Sequence, residues 1–375
     1  MTSIELETGS PGLPRPGMAA STSLDEGVGK WKTRLVVAVG SVLICALLAE
    51  AAVRVYSAVA FPRMMQLEKS LGWQHAADRE KSFTNEDGEV HLYVQDEYGQ
   101  RPLPEALRSA SRTTSVLVLG DSFTEAVQVA GDEAFTARLA GADPTLNVIN
   151  AGVGAYGTVQ QYLFLRDRGE AFAPNLVLLV AYENDLTDNF MSCSPRIGPR
   201  PRATIEGDEV RIIEDLDDAE FLQFVAPAPF RSFLIKRSYL FYAFNDRVWR
   251  RQNYEDFVEK ELKLSNAVPV ATQKRIFLEM VDRIRDLTEA RGARFALALI
   301  PSHATVLAGD DPWHAEVAAH AKASGYPFLS LLSTFKDPAS GRCYFDKDIH
   351  WTRNGHKAAA EALLPFCQEA LDRGE

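Results

Sequence analysis

A serine, a histidine and two aspartates in this sequence have the types and spacing for acyl transfer. Ser122 sits in the turn Gly120-Asp121-Ser122-Phe123 that follows the apolar run 115 to 119, and His350 sits in "FDKDIHWTRNGH", residues 345 to 356. Serine is a weak nucleophile until a base takes its proton, and an imidazole fixed by a carboxylate is a suitable base. Asp348 lies two residues before His350. In extended chain, positions i and i+2 project to the same side, so its carboxylate can reach the ring. Asp346 lies four residues away and would need a helical turn, so Asp348 is preferred and Asp346 is the reserve. A tetrahedral oxyanion also needs hydrogen-bond donors. The candidates are the Ser122 backbone N–H, a backbone N–H in the glycine-rich turn "NAGVGAYGT" (residues 150 to 158) and the Asn184 amide in "YENDLTDN" (residues 182 to 189). Asp121 is read as a brace that hydrogen-bonds backbone in its own turn.

The elements that must hold these groups follow from periodicity. Runs at 115–119, 146–149, 176–181, 294–300 and 327–331 are apolar almost throughout, as strands covered on both faces are. Helical patterns at about 132–140, 157–170, 270–291 and 313–323 alternate with them, and residues 354–373 close the chain as a helix. The spacing predicts an α/β fold: a three-layer α/β/α sandwich around a mainly parallel five-stranded sheet. In such a sheet ligands bind beyond the carboxyl ends of the strands, which is where all four polar clusters fall.

Those four blocks, in this order, resemble the SGNH (GDSL) hydrolase superfamily over about residues 93 to 372. The resemblance implies a flavodoxin-like sheet and no cofactor or metal. It also implies Ser122 as nucleophile, Asn184 as an oxyanion donor and His350 as base. The family's oxyanion glycine falls at Ala155, with Gly154 just before it. The sequence departs from the pattern at Tyr182, where a glycine is expected, and at Lys347, where an aspartate is expected. The Asp348-Ile349-His350 order is similar to the D-x-H form of membrane-associated O-acetyltransferase relatives. The expected activity is an exported serine esterase that removes O-acyl groups, O-acetyl among them, from a glycan or small ester through an acyl-serine intermediate. An O-acyltransferase with the same triad and a catalytically silent glycan-binding or assembly protein are the alternatives. An α/β-hydrolase is disfavoured because GDSFT lacks the second glycine of a G-x-S-x-G elbow.

The 375 residues carry a formal charge of −11. With no basic stripe, nucleic acid is not an expected partner. Residues 1–29, rich in Ser, Gly, Pro and Thr, read as a disordered tail. Residues 30–56 read as a transmembrane signal anchor whose apolar part, residues 35–53, is close to the roughly twenty needed to span a bilayer. Lys30, Lys32 and Arg34 before it place the tail in the cytoplasm and the rest on the extracytoplasmic side, with Arg54 and Arg63 opposing that order. Residues 57–110 form a connecting segment and 111–375 the hydrolase-like domain, interrupted by an insertion at 187–269 that serves either as packing or as a lid. The insertion contains a hairpin pattern around Gly207-Asp208 and an aromatic-rich helical stretch at 230–251. Cys193 and Cys343 lie in loop-like sequence, either as a disulfide in an exported domain or as thiols.

Overall fold

The computed structural model describes residues 22–60, 64–109, 111–194, 197–214, 216, 237–244, 259, 263, 267–309 and 311–372. The chain divides into two compact units, Met1–Val55 and Tyr56–Glu375. Helix α1, Thr22–Ala60, accounts for the described part of the first unit. Within it Lys30–Tyr56, 27 residues with an 18-residue window of mean hydropathy 2.4, is long and apolar enough to cross a membrane. At about 1.5 Å per residue it extends about 40 Å, against about 30 Å of hydrocarbon. Glu50, an acid inside this stretch, receives Arg54 Nε at 2.6 Å one helical turn on.

The second unit is built on five parallel strands: β5 (Thr114–Gly120), β6 (Leu146–Gly152), β7 (Leu176–Tyr182), β12 (Arg294–Ile300) and β13 (Phe328–Ser330). They lie in the order β13-β12-β7-β5-β6. Side chains alternate across a strand, and here the alternation divides two cores. Leu117, Leu119, Val177, Leu179, Leu297 and Leu299 face helices Thr158–Arg168 (α4) and Val270–Ala290. Val116, Val118, Leu176, Leu178, Val180, Ala296, Ala298 and Ile300 face α3 (Phe135–Ala142) and the closing helix Arg353–Asp372. This is the α/β/α sandwich expected from the sequence, with its strands in the flavodoxin-like order 2-1-3-4-5. The order reverses between β5 and β7, and in folds of this strand order the ligand crevice lies beyond the carboxyl ends at that point.

Ahead of the sheet, residues 64–101 carry two antiparallel hairpins. Strand β1 (Met65–Glu68) pairs with β2 (Gly72–His75), and β3 (Arg79–Thr84) pairs with β4 (Val90–Gln95). The second pair turns through Asn85-Glu86-Asp87-Gly88, where the Asn85 side chain accepts from Glu89 N–H at 2.9 Å and Gly88 takes φ +81°. Both hairpins send large side chains inward, since Leu71, Trp73, His75 and Tyr93 are buried, as is Arg101 just after them. In the insertion, β8 (Cys193–Ser194) pairs with β9 (Gly198–Pro199), and β10 (Arg202–Glu206) and β11 (Glu209–Ile213) form the hairpin expected around Gly207-Asp208. Of the aromatic-rich stretch at 230–251, only 237–244 falls among the described residues, and Tyr239–Phe244 there is helical. Cys343 is not bridged to Cys193; its Sγ faces the Ser340 and Gly341 carbonyls.

Candidate active site

Strand β5 ends on Gly120, and the chain turns at once into α2, Ser122–Glu125. Asp121 caps this four-residue helix by accepting the Phe123 N–H at 2.9 Å, so its carboxylate braces the turn. The helix folds back over the end of β6 so closely that a Cβ on Gly152 would lie 2.4 Å from the Glu125 nitrogen. Phe123 and the preceding strand are buried, and the helix lifts Ser122 to the rim of the crevice.

His350 approaches from the far end of the chain, with Nε2 2.6 Å from Ser122 Oγ. Its Nδ1 bonds to Asp348 Oδ1, which also accepts the His350 backbone N–H at 3.1 Å. A carboxylate can only accept, so Nδ1 carries the ring proton and Nε2 offers its lone pair to the serine hydroxyl. Burial alone pushes the Asp348 carboxyl up, but the hydrogen bonds and charge of His350 outweigh it and leave the group below its ordinary value. Asp346, the reserve acid, instead faces Arg342 at 3.4 Å on the exposed side of the loop. Phe123 packs beneath the triad with ring centroids 5.0 Å from His350, 4.7 Å from Tyr182 and 5.2 Å from Trp351. Tyr182, which stands where a glycine was expected, is thus part of this aromatic floor.

The three candidate sources of oxyanion donors differ in their engagement. Among the described residues, nothing accepts from the backbone N–H of Ser122, Gly154 or Ala155. Ala155 lies in the left-handed region at φ +60°, a conformation in which glycine is the unstrained residue. Asn184 follows β7, and its Nδ2 donates to Asp188 Oδ2 at 2.9 Å, leaving its second hydrogen for another acceptor. Asp188 is in turn paired with the buried Arg200 at 3.0 Å. Asp121, Asp185 and Asp188 together form an acidic floor. Burial raises all three: Asp121 to about 6, Asp185 well above the carboxylate range, and Asp188 less so because Arg200 opposes it.

Several groups at the site lie outside the four sequence blocks, and the hairpins supply them. His75 on β2 presents Nδ1 to the Gly99 carbonyl at 2.9 Å and Nε2 to Glu125 Oε1 at 2.9 Å. Nδ1 must donate to the carbonyl, so the second contact also needs a proton, from an imidazolium or a carboxylic acid. Tyr93 donates to the same Glu125 oxygen at 3.3 Å. The other oxygen, Oε2, would be 2.6 Å from a Cβ on Gly154, so that position needs a glycine for the carboxylate to approach. Trp73 Nε1 donates to the Gly154 carbonyl at 3.1 Å. Arg101 closes the far end of α2 by donating to the carbonyls of Glu125 (3.1 Å), Ala126 and Val129 (2.8 Å). Finally, Glu86 accepts the backbone N–H groups of Asp346, Lys347 and Asp348 at 3.2, 2.8 and 2.7 Å. The hairpin turn at 85–88 is readable in the sequence, but the loop it reaches is about 260 residues away and leaves no local signal.

Away from this rim, His356 is buried and accepts the Phe135 N–H through Nδ1, and burial holds its ring well below the usual histidine range. His314 bonds Ser330 at 2.6 Å. Among the described residues no group of three or more His, Cys, Asp and Glu side chains could hold a metal.

No protein-family model matches the sequence, and no curated protein matches it. Solved structures do match in the course of the chain. A putative acylhydrolase from Bacteroides fragilis NCTC 9343 is 14% identical, over 72% of this chain and 91% of that one, with a TM-score of 0.37. A putative lipolytic protein of the G-D-S-L family from Desulfitobacterium hafniense DCB-2 is 12% identical, over 68% and 99%, at 0.39. A two-domain esterase active on acetylated mannans is 11% identical, over 71% and 52%, at 0.38.

Proposed function

We propose that this chain is a membrane-anchored ester hydrolase of the SGNH type, which removes short O-acyl groups, acetyl among them, from a glycan or small ester. The observation that carries the reading is the relay from Ser122 Oγ, 2.6 Å from His350 Nε2, through the ring to Asp348. As Oγ adds to the ester carbonyl, its proton passes to Nε2, and Asp348 stabilises the imidazolium. The oxyanion takes the N–H groups of Ser122 and of the Gly154–Ala155 turn, with the second Asn184 hydrogen as a further donor. Collapse of the intermediate expels the alcohol, which His350 protonates, and leaves acyl-Ser122. Water then enters and adds to the acyl carbonyl as its proton passes to His350 Nε2; collapse breaks the bond to Oγ, His350 returns the proton to Ser122 and the acid leaves.

The finer parts of the reading rest on exposure and charge. The His350 and Asp348 side chains remain 18% and 34% exposed, so the triad lies on an open rim that a polymer-borne ester can reach. The packed rings of Phe123, Tyr182 and Trp351 beneath it favour a short acyl group over a long chain. The helix Lys30–Tyr56, with cations at its start, favours a single span that leaves the triad outside the cytoplasm.

The test is labelling of the full chain in detergent by a fluorophosphonate, alongside Ser122→Ala and His350→Ala. Labelling of the parent alone supports the reading; labelling that persists in Ser122→Ala refutes it. Giving the enzyme an acetyl donor with and without a glycan acceptor then separates hydrolysis from transfer. Protease digestion of right-side-out and inverted vesicles reports which side carries the triad.

A further inference from the structure

The segment that carries both the acid and the base of the relay, residues 342–353, has little regular structure of its own. Asp346 to Asp348 form a bend, and Ile349 is 57% exposed. A loop of this kind does not by itself hold Asp348 and His350 to the few tenths of an ångström that proton transfer requires. Its two arms are joined to each other by Phe345 N–H to the His350 carbonyl (3.0 Å) and Thr352 N–H to the Cys343 carbonyl (2.9 Å), and the tip at 346–348 is held from outside by the turn between β3 and β4. At the two ends of the segment, Asp87 pairs with Arg342 and Glu89 with Arg353, both at the exposed surface. Exposed pairs of this kind are weak and screened. In the middle, the Glu86 carboxylate receives three successive backbone N–H groups, those of Asp346, Lys347 and Asp348. Charge-assisted bonds to three donors in a row fix the peptide planes leading into Asp348. The turn is itself anchored to the nucleophile's side of the crevice. Asn85 donates to the Gln128 carbonyl at 3.2 Å, and His91 bonds the Val127 carbonyl at 2.6 Å, just beyond α2.

We propose that Glu86 is a positioning residue for catalysis, which sets the distance between Ser122 and His350 by clamping the backbone of residues 346–348 to the amino-terminal hairpin. This rests on the hydrolase reading above. Glu86 touches no reacting atom and acts through Asp348. Its effect therefore falls on the chemical step rather than on substrate binding, and it depends on oxygen acceptors at that place rather than on bulk.

The experiment measures p-nitrophenyl acetate turnover and the rate of fluorophosphonate labelling for the full chain in detergent. The variants are Glu86→Ala, Glu86→Gln, Asp87→Ala, Glu89→Ala and Ser122→Ala. Glu86→Ala is expected to lower kcat and the labelling rate by about ten- to a hundredfold, the scale of a misplaced catalytic group. KM and thermal midpoint should stay near those of the parent. Glu86→Gln keeps a carbonyl oxygen for the Lys347 and Asp348 N–H groups and is expected to fall between parent and Glu86→Ala. The two end pairs act as controls, within about twofold of the parent. A kcat for Glu86→Ala within about twofold of the parent overturns the proposal, as does a joint fall of kcat and thermal midpoint that Glu86→Gln does not relieve. Absence of Ser122-dependent labelling in the parent itself overturns the hydrolase reading and, with it, this role. A normal parent with an unaffected Glu86→Ala overturns this role alone.

Discussion

Asp348→Asn is a test in which the geometry and the usual expectation disagree. An asparagine in place of a triad aspartate can cost about 10⁴-fold when its amide turns the histidine to the wrong tautomer. Here two donors converge on one oxygen, because Asp348 Oδ1 accepts both the His350 backbone N–H and the ring Nδ1. An asparagine must therefore present its carbonyl oxygen at that point, and its NH₂ takes the outer place on a side chain 34% exposed. The ring keeps its proton on Nδ1 and its lone pair toward Ser122, so only the charge is lost. A unit pair about 4 Å apart in an effective dielectric of about 20 is worth about 4 kcal/mol. Solvent access to a third of the side chain reduces that to about 1–3 kcal/mol. On the chemical step this is about a ten- to hundredfold fall in kcat, with KM unchanged. Steady-state hydrolysis of p-nitrophenyl acetate and the fluorophosphonate labelling rate both read it. A fall beyond about 10³-fold would refute the reasoning, since the tautomer must then have changed. No fall at all would show that Asp348 is not the partner of the base.

Asp121→Asn should stabilise the protein in a pH-dependent way. Burial raises the Asp121 carboxyl from 3.8 to about 6, so between these values the folded chain binds more protons than the unfolded one and stability falls as pH rises. The substitution should therefore raise the melting temperature at pH 8 by the equivalent of about 1–3 kcal/mol and make little difference at pH 4; equal gains at both would contradict it. Gly154→Ala should cost about 1–3 kcal/mol, because the new Cβ meets a Glu125 carboxylate that His75 holds in place. In a Glu125→Ala background the same change should cost much less, and additive costs in a double-mutant cycle would refute the contact. Ala155→Gly should relieve a left-handed backbone and leave stability equal or up to about 1 kcal/mol higher with activity retained. A loss greater than about 1 kcal/mol in denaturant titration would show that the methyl group matters more than the strain.

What could be read from the sequence is what is local. The strands Leu176–Tyr182 and Arg294–Ile300 announce themselves because both faces are buried, and the placement of polar residues just past each strand follows from a parallel sheet. The two-residue repeat of extended chain pointed to Asp348, and Asp348 does bond His350, but the segment bends at 346–348 rather than running extended. Less visible was the fate of the Asn184 amide, one of whose hydrogens is taken by Asp188 one turn later. The part played by residues 64–101 was not visible at all. Their strands are four to six residues long, with β3 mostly exposed, so they lack the periodicity that marks a core element. Their significance lies in partners 81 residues away for Trp73 and 262 away for Glu86, and no pattern in a short window encodes such a pairing.

Arg101 reaches across to three carbonyls at the trailing end of a helix only four residues long. So short a helix has almost no stability of its own, and the Glu125 carbonyl at its end, with those of Ala126 and Val129 just beyond it, would lose that donor if the guanidinium were absent. The helix that carries Ser122, the proposed nucleophile, is therefore completed by a part of the chain made before it. During synthesis the brace precedes the element it completes. A shortened form meant to shed the apolar helix should accordingly be cut ahead of residue 64, not at the start of the sheet near 111. The later cut would keep every residue of the relay and lose the means of holding them.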